Sequence, residues 1–202
     1  MERISGATQV RVIAILRGLL PEFALETMAV LNAHGFGEIE IPLNGRGARE
    51  SLEVLANNRV PGVRLGAGTV KTAADIEFCE AQGLDFTLSP HWDSQLADTR
   101  LEWIPGVMTP SEWLAAEAAG CSWVKLFPAS LVGTDGYKAI RAVTDPGVKC
   151  IAVGGITLAN ARVWAGAGVD GLGLGSDLFQ MGDTPDQTES KAQRWSELLK
   201  QL

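Results

Sequence analysis

The stretch Ala119-Gly120-Cys121-Ser122-Trp123-Val124-Lys125-Leu126 contains the pattern that decides the fold: a helix-like segment ends at a glycine and leads into an apolar strand. Glycine suits this junction because it takes the left-handed conformation that closes a helix. The same pattern recurs at residues 33–41, 81–88 and 167–174. A repeated order of helix, glycine and strand indicates parallel strands that are joined by crossover helices.

Weaker apolar segments complete the pattern, so the sequence predicts eight strands. They span residues 12–17, 38–43, 64–68, 86–89, 102–107, 123–127, 149–153 and 171–174. Helical segments are predicted at residues 21–33, 73–82, 110–119, 159–167 and 187–199. Eight alternations favour an α/β fold of the (β/α)8 TIM barrel type. The alternative is an open doubly wound sheet, but residues 17–21 lack its Gly-rich turn. We expect residues 1–202 to form one minimal barrel domain.

Composition and charge limit the classes of protein that this chain can be. Of its 202 residues, 46% are hydrophobic and 20% are charged, which is enough apolar chain for a buried core. The formal net charge is −7 and Lys and Arg form no cluster, so we expect neither nucleic acid nor an anionic membrane as a partner.

Cysteines, histidines and the start of the chain bear on its location and on metal binding. Three cysteines without a C-x-x-C pair, and a start without a signal-peptide pattern, predict a complete cytoplasmic chain. No apolar run approaches the roughly 20 residues of a membrane span. Two histidines are too few for a His-rich metal site, so any metal would need carboxylates alone.

Three ionisable residues lie in predicted strands, where a parallel barrel favours apolar side chains on both faces. They are Arg17, Glu40 and Lys125. Because strand residues alternate between two faces, the apolar neighbours of Glu40 and Lys125 suit the outer face, and both charged side chains then point into the barrel.

An inward lysine and glutamate admit two interpretations. Burial lowers the pKa of a lysine, so Lys125 could act as a Schiff-base nucleophile, with Glu40 transferring protons. An ion pair that only neutralises itself explains the two residues equally well. Arg17 is either a neighbour of this pair or the cation that receives a substrate carboxylate.

Two glycine-bearing turns follow the last two predicted strands. They are Val153-Gly154-Gly155-Ile156-Thr157 and Gly173-Leu174-Gly175-Ser176-Asp177. Barrels often bind phosphate through backbone N–H groups at this place, so the two turns favour a phosphate site over simple tight turns. Thr69 ends the third predicted strand at the same face, where it is either a site hydroxyl or a helix N-cap.

Six ordered motifs cover the chain from about Val12 to the last helix. They are Ala14-Ile15-Leu16-Arg17, Glu38-Ile39-Glu40-Ile41-Pro42-Leu43-Asn44, Gly66-Ala67-Gly68-Thr69-Val70, Lys125-Leu126-Phe127-Pro128, Ala152-Val153-Gly154-Gly155-Ile156 and Gly175-Ser176-Asp177-Leu178. Together they resemble the class I aldolases of 2-keto-3-deoxy-6-phospho sugar acids, the KDPG and KDPGal aldolases. The resemblance implies a homotrimer of barrels that forms an imine without metal or cofactor. Such an enzyme cleaves the phosphorylated keto acid to pyruvate and glyceraldehyde 3-phosphate.

The resemblance also implies a role for each matching residue. Lys125 would form the imine and Glu40 would transfer protons, while Arg17 and Thr69 would handle the pyruvyl end of the substrate. The pocket wall would be shaped by Phe127 and Pro90. The phosphate would be held by residues of the two glycine turns, Gly154, Gly155, Gly175 and Ser176.

Three positions resemble the galactonate branch of the family rather than the gluconate branch. Gluconate-type enzymes typically carry Thr for Pro42, Arg for Asn44 and Thr for Val153. We therefore expect a preference for 2-dehydro-3-deoxy-6-phosphogalactonate, with a KDPG, dual-specificity or 4-hydroxy-2-oxoglutarate aldolase as the alternative. His91 and Trp92 depart from the family pattern, and His91 is either a substrate contact or a solvated loop residue.

Two other functions fit parts of the sequence. An imine-free phosphate-binding barrel, such as an isomerase or a synthase, would use Lys125 only for its charge. A non-catalytic barrel could bind a sugar phosphate as a sensor, but it would not need Lys125, Glu40 and Thr69 together.

Overall fold

The apolar strands form one parallel sheet that curls into a barrel. The computed structural model describes residues 10–202, so the first six residues, on which the signal-peptide expectation rests, lie outside it. The strands in this part of the chain are β1 (Arg11–Ile15), β2 (Glu38–Pro42), β3 (Arg64–Gly68), β4 (Phe86–Leu88), β5 (Glu102–Ile104), β6 (Gly106–Val107), β7 (Trp123–Leu126), β8 (Lys149–Val153) and β9 (Gly171–Leu174). They pair in the order β5-β4-β3-β2-β1-β9-β8-β7-β6. The expected (β/α)8 TIM-like fold is confirmed.

The barrel closes around Pro105. The predicted fifth strand is divided there into β5 and β6, because proline has no N–H to donate to a ladder. β5 pairs with β4, and β6 pairs with β7, so the two edges of the sheet meet across one residue. Pro105 still takes part in the seam, since its carbonyl accepts the amide of Lys125 at 2.8 Å.

α-Helices cover the outside of the barrel. In residues 10–202 they are α1 (Ala24–Ala33), α2 (Ala48–Asn57), α3 (Ala73–Ala81), α4 (Pro110–Ala118), α5 (Ala129–Arg141), α6 (Ala161–Gly166) and α7 (Pro185–Leu199). Capping boxes begin three of them, at Thr72, Thr109 and Thr184. Two of the helices, α2 and α5, are not among those predicted from the sequence. None of these helices is both long and apolar enough to cross a membrane.

Apolar side chains form two separate cores. The outward faces of the strands pack against the helices around fully buried aromatic residues, among them Trp113, Tyr137 and Trp195. The inward faces form a second cluster, which we call the inner cluster, made of Ile13, Ile15, Phe86, Leu88, Ile104, Ile151 and Val153. The interior of the barrel is therefore a packed core rather than a pore.

Four ionisable side chains close the mouth of the barrel at which the strands begin. Arg11, Glu38, Arg64 and Glu102 are the first residues of their strands. Arg11 lies 2.6 Å from Glu38 and 2.8 Å from Glu102, and Arg64 lies 3.3 and 2.5 Å from the same two carboxylates. Two cations and two anions thus form a neutral ring, which we call the floor network. A site within the barrel must open at the opposite mouth.

Candidate active site

The predicted site residues gather at the mouth where the strands end. Glu40 and Lys125 lie within β2 and β7, and Val153 ends β8. The others lie one or two residues after a strand: Arg17, Thr69, Pro90, Phe127, Gly154, Gly155, Gly175 and Ser176. This is the end at which barrel enzymes carry their active sites.

Lys125 points into the barrel and is only 5% exposed. Its Nζ lies 5.0 Å from the centre of the Phe127 ring. Burial lowers the pKa of Lys125 to about 8, while the charge of Glu40 opposes this shift and the charge of Arg17 adds to it. At pH 7 roughly one amine in ten is therefore unprotonated and nucleophilic.

Glu40 is equally buried, with 3% of its surface exposed. Burial raises the pKa of its carboxyl, and this effect is larger than the lowering caused by the positive charges of Lys125 and Arg17. Its Oε2 has no hydrogen-bond partner in the described part of the chain, so Lys125 does not donate to this atom. The two side chains are therefore not locked in a hydrogen-bonded pair through Oε2, and the carboxyl can give or accept a proton.

Arg17 and Thr69 flank this pair at the mouth. Arg17 is exposed, and its guanidinium donates a hydrogen bond to Asn44 Oδ1 in the loop after β2. Thr69 has a φ of +57°, the only positive φ of a non-glycine residue among residues 10–202. A β-branched residue in this region is strained by about 1–3 kcal/mol, and such strain clusters at functional sites. The alternative role of Thr69 as a helix N-cap is wrong, because Thr72 caps α3.

The two glycine turns present backbone amides at the same mouth. Gly154 and Gly155 have φ angles of +98° and +77°, which glycine adopts without strain. Asn160 fixes the first turn by donating to the Gly155 carbonyl at 2.8 Å. In the second turn, the Gly175 carbonyl accepts two amide hydrogen bonds at 2.9 Å. Within residues 10–202, the amides of Gly155 and Ser176 donate to no backbone carbonyl, so both are available to an anion.

The loop after β4 brings Pro90 over the barrel interior. A Cβ built on Gly106 would lie 2.7 Å from His91 N and would also overlap the Pro90 carbonyl. Gly106 is paired with Lys125 in the sheet register. The peptide between Pro90 and His91 therefore packs beside Lys125, while the His91 side chain is 45% exposed.

Two further observations concern what else the chain could bind. Among residues 10–202, no three His, Cys, Asp or Glu side chains lie together as metal ligands would. A cavity of about 430 Å³ lies at the opposite end of the barrel, near Val10, Asp170 and Leu202, and shares no residue with the predicted site.

Several residues that support the site were not predicted from the sequence. The role of Gly106 could have been predicted, because a glycine at an inward strand position indicates that another backbone segment approaches closely. Nothing in the sequence marks Asn160, since asparagine is common before a helix. The floor network was missed because polar residues at strand starts ordinarily face solvent.

A parallel barrel that encloses a lysine of lowered pKa beside a buried carboxyl defines a class of protein, the enzymes that act on carbonyl compounds through an amine. The family model "KDPG and KHG aldolase" matches residues 4–190. The chain belongs to this family of class I aldolases, which are carbon–carbon lyases.

Several known proteins are similar to this chain over most of its length. The "probable 2-dehydro-3-deoxy-6-phosphogalactonate aldolase" of Rhizobium meliloti (strain 1021) is 41% identical over 89% of this chain and 87% of its own. The 2-dehydro-3-deoxy-6-phosphogalactonate aldolase of Escherichia coli (strain K12) is 32% identical over 92% of each. A solved structure described as native KDPGal superimposes with a TM-score of 0.90 at 30% identity, covering 98% of this chain and all of that one.

Two other solved structures bear on chemistry and on assembly. A KDPG aldolase from Legionella pneumophila, with pyruvate captured as a covalent carbinolamine intermediate, has a TM-score of 0.81 at 29% identity, over 95% of this chain and 93% of that one. A protein cage designed by fusing symmetric oligomeric domains has a TM-score of 0.91 at 30% identity, over 96% of this chain and 73% of that one.

Proposed function

We propose that this chain is a class I aldolase that cleaves 2-dehydro-3-deoxy-6-phosphogalactonate to pyruvate and D-glyceraldehyde 3-phosphate, with residues 1–202 as one barrel domain. The observation that carries the proposal is the buried amine of Lys125, whose pKa is lowered to about 8. Two relatives, at 41% and 32% identity, are named for this substrate.

Lys125 and Glu40 perform the covalent steps. The free amine of Lys125 attacks the C2 carbonyl, and Glu40 gives a proton to the carbinolamine hydroxyl so that water leaves and an imine forms. The Glu40 carboxylate then takes the proton of the C4 hydroxyl. The C3–C4 bond breaks, its electron pair moves toward the iminium nitrogen, and the aldehyde leaves. Glu40 returns the proton to C3 of the enamine, and water releases pyruvate.

The remaining site residues bind the two ends of the substrate. Arg17 receives the carboxylate at the pyruvyl end, beside the hydroxyl of Thr69. The wall of the pocket is formed by Pro90 and Phe127. The phosphate is held by amides and a hydroxyl of the glycine turns, from Gly154, Gly155, Gly175 and Ser176.

Val153 selects the epimer. It is 6% exposed at the end of β8, where a hydroxyl in place of a methyl would offer a hydrogen bond to a substrate hydroxyl of the opposite configuration. The family also includes KDPG and KHG aldolases, so cleavage of the gluconate epimer or of 4-hydroxy-2-oxoglutarate is the second candidate function.

The enzyme works as a cytoplasmic homotrimer on small phosphorylated substrates, with no nucleic acid or membrane partner. Some large apolar side chains are exposed, such as Leu131 at 71% and Val163 at 60%, and their burial in an interface would favour an oligomer. A sedimenting mass three times that of one chain is expected, and a monomer would contradict it.

Borohydride trapping with pyruvate, followed by peptide mass spectrometry, tests the function. We expect an adduct on the peptide that holds Lys125, and none in Lys125→Ala. Lys149→Ala is the matched control, because it removes a lysine from the opposite mouth, and it should trap normally. A folded protein without an adduct would instead favour the imine-free phosphate barrel.

A further inference from the structure

The inward face of β3 carries two glycines, Gly66 and Gly68. A Cβ built on Gly66 would lie 2.6 Å from Phe86 Cζ, so this glycine makes room for an aromatic ring of the inner cluster. A Cβ built on Gly68 would overlap Glu40 Oε1 and lie 2.9 Å from Glu40 Cγ. The carboxyl of Glu40 therefore fills the space that a side chain at position 68 would take.

The Glu40 side chain leans along β3 toward the open mouth. The sheet register pairs Glu40 with Gly66, and it pairs Pro42 with Gly68. The carboxyl thus reaches two residues beyond its own pairing partner, toward the end at which the site opens. Oε2 has no hydrogen-bond partner in the described part of the chain, so the carboxyl is positioned by its packing against Gly68 and not by a hydrogen bond to Oε2.

The β3 backbone that contacts the Glu40 carboxyl is itself held in place. The Gly68 carbonyl accepts the amide of Leu43 at 2.8 Å, which ties the end of β3 to the loop after β2. Gly68 does not have a positive φ, in contrast to Thr69, which follows it. Alanine can therefore adopt the backbone conformation of Gly68, and the obstacle to a side chain is the Glu40 carboxyl.

We propose that Gly68 is a positioning residue for proton transfer: its missing side chain seats the Glu40 carboxyl at the mouth of the barrel. The proposal rests on the proposed function, in which Glu40 moves protons to and from the bound substrate. It implies that a change at position 68 impairs proton transfer through Glu40 while the Lys125 amine still forms its imine.

Gly68→Ala tests this role with two readouts that separate the steps. Borohydride trapping at saturating pyruvate should still label the Lys125 peptide. Exchange of the pyruvate methyl protons with D₂O, followed by NMR, should fall about a hundredfold, because a shift of about 1 Å in a catalytic group costs that much. Gly37→Ala is the matched control, since a Cβ there meets only the Gly62 carbonyl, at 3.7 Å.

The Glu40→Gln background shows whether Gly68 acts through Glu40. Once the carboxyl is gone, Gly68→Ala should lower the residual exchange no further. An equal fall in both backgrounds would overturn the proposal, as would normal exchange in Gly68→Ala. If Gly68→Ala does not fold, Gly68→Ala with Glu40→Ala should fold, because the clashing carboxyl is removed, and failure of that double variant would also overturn it.

The two proposals fail in different ways. If wild type traps no pyruvate, the proposed function is wrong. If wild type traps pyruvate and exchanges its methyl protons, and Gly68→Ala does the same at an equal rate, only the role of Gly68 is wrong.

Discussion

At the scale of single residues, burial and two neighbouring charges control the protonation of the Lys125 amine. Burial lowers the pKa of Lys125, the carboxylate of Glu40 opposes the shift, and the guanidinium of Arg17 reinforces it. Arg17 is the only one of the three that is exposed. It can therefore be replaced with the least damage to the interior of the barrel.

Arg17→Ala should move the pH profile of imine formation to higher pH. Removing a nearby positive charge makes protonation of Lys125 easier, so its pKa rises above about 8 and less free amine is present at neutral pH. The measurement is the rate of reductive trapping at saturating pyruvate across the pH range. Arg46→Ala, an exposed arginine of the loop after β2, should leave the profile in place. A shift to lower pH would contradict this account.

Val153→Thr should shift the preference from the galactonate toward the gluconate epimer. The change replaces a methyl by a hydroxyl at the site end of β8 with almost no change of volume. The ratio of kcat/KM for the two epimers measures it. Val124→Thr makes the same change on the helix-facing side of β7 and should not alter that ratio. An unchanged ratio in Val153→Thr would show that Val153 does not select the epimer.

At the scale of elements, the loop after β4 is held by one hydrogen bond and by the contact between two tryptophan rings. Trp92 packs against Trp103 with ring centres 5.3 Å apart and ring planes tilted by 31°. Trp103 Nε1 donates to the buried Ser89 Oγ at 2.8 Å, at the point where the loop leaves the strand. This contact fixes the start of the segment that carries Pro90 over the barrel.

Trp103→Phe should lower the free energy of unfolding by about 1 kcal/mol more than Trp113→Phe does. Both variants remove the same atoms from a buried indole, but Trp113 Nε1 has no hydrogen-bond partner in the described residues, so only Trp103 loses a bond. Urea unfolding of the two variants measures the difference. Equal losses would show that the bond to Ser89 contributes nothing.

The strand elements and the inward positions of Glu40 and Lys125 could be predicted from the sequence, because their signals are local. The glycines that end the helices mark where strands begin. The alternation of side chains along a strand is enough to place Glu40 and Lys125 inside the barrel. The helix α5 lacked such a signal, since Gly133 interrupts it with non-helical backbone angles. The division of a predicted strand at Pro105 was also missed, although proline inside a strand is a warning of it.

Gly68 and the floor network could not be predicted, because their roles depend on register. Gly68 matters through the carboxyl of Glu40, which lies on a neighbouring strand 28 positions earlier in the sequence. Arg11 meets Glu102 only because the strands that carry them tilt around one barrel. A single sequence contains the residues of such contacts but not the alignment of distant strands.

At the scale of the whole molecule, the floor network ties together the four strands β1, β2, β3 and β5. Burial raises the pKa of Glu102, but hydrogen bonds from Arg11 and Arg64 outweigh burial and leave the pKa below its ordinary value. A carboxyl with a lowered pKa in the folded state stabilises the fold above the ordinary glutamate pKa of about 4.3, and this contribution is lost as the pH falls through the lowered value.

Glu102→Gln should cost about 2 kcal/mol of unfolding free energy at pH 7, because two charge-assisted hydrogen-bonded pairs lose their anion. The cost should shrink as the pH falls through the lowered pKa of the Glu102 carboxyl, because the wild-type side chain then loses its charge too. Urea unfolding at pH 7 and pH 3 measures both values. Glu53→Gln, on an exposed position of α2, should cost little at either pH. A cost that stays constant with pH would contradict the electrostatic role.

The inner cluster separates the floor network from the mouth where the chemistry is proposed. The charges that set the pKa of Lys125 are those of Glu40 and Arg17, and no floor residue is among them. The two cations and two anions of the floor network cancel, so the network has little net effect on a charge at the opposite mouth. A lineage that adapts to a hotter habitat can therefore replace a floor pair of opposite charges together, while the pKa of Lys125 stays the same.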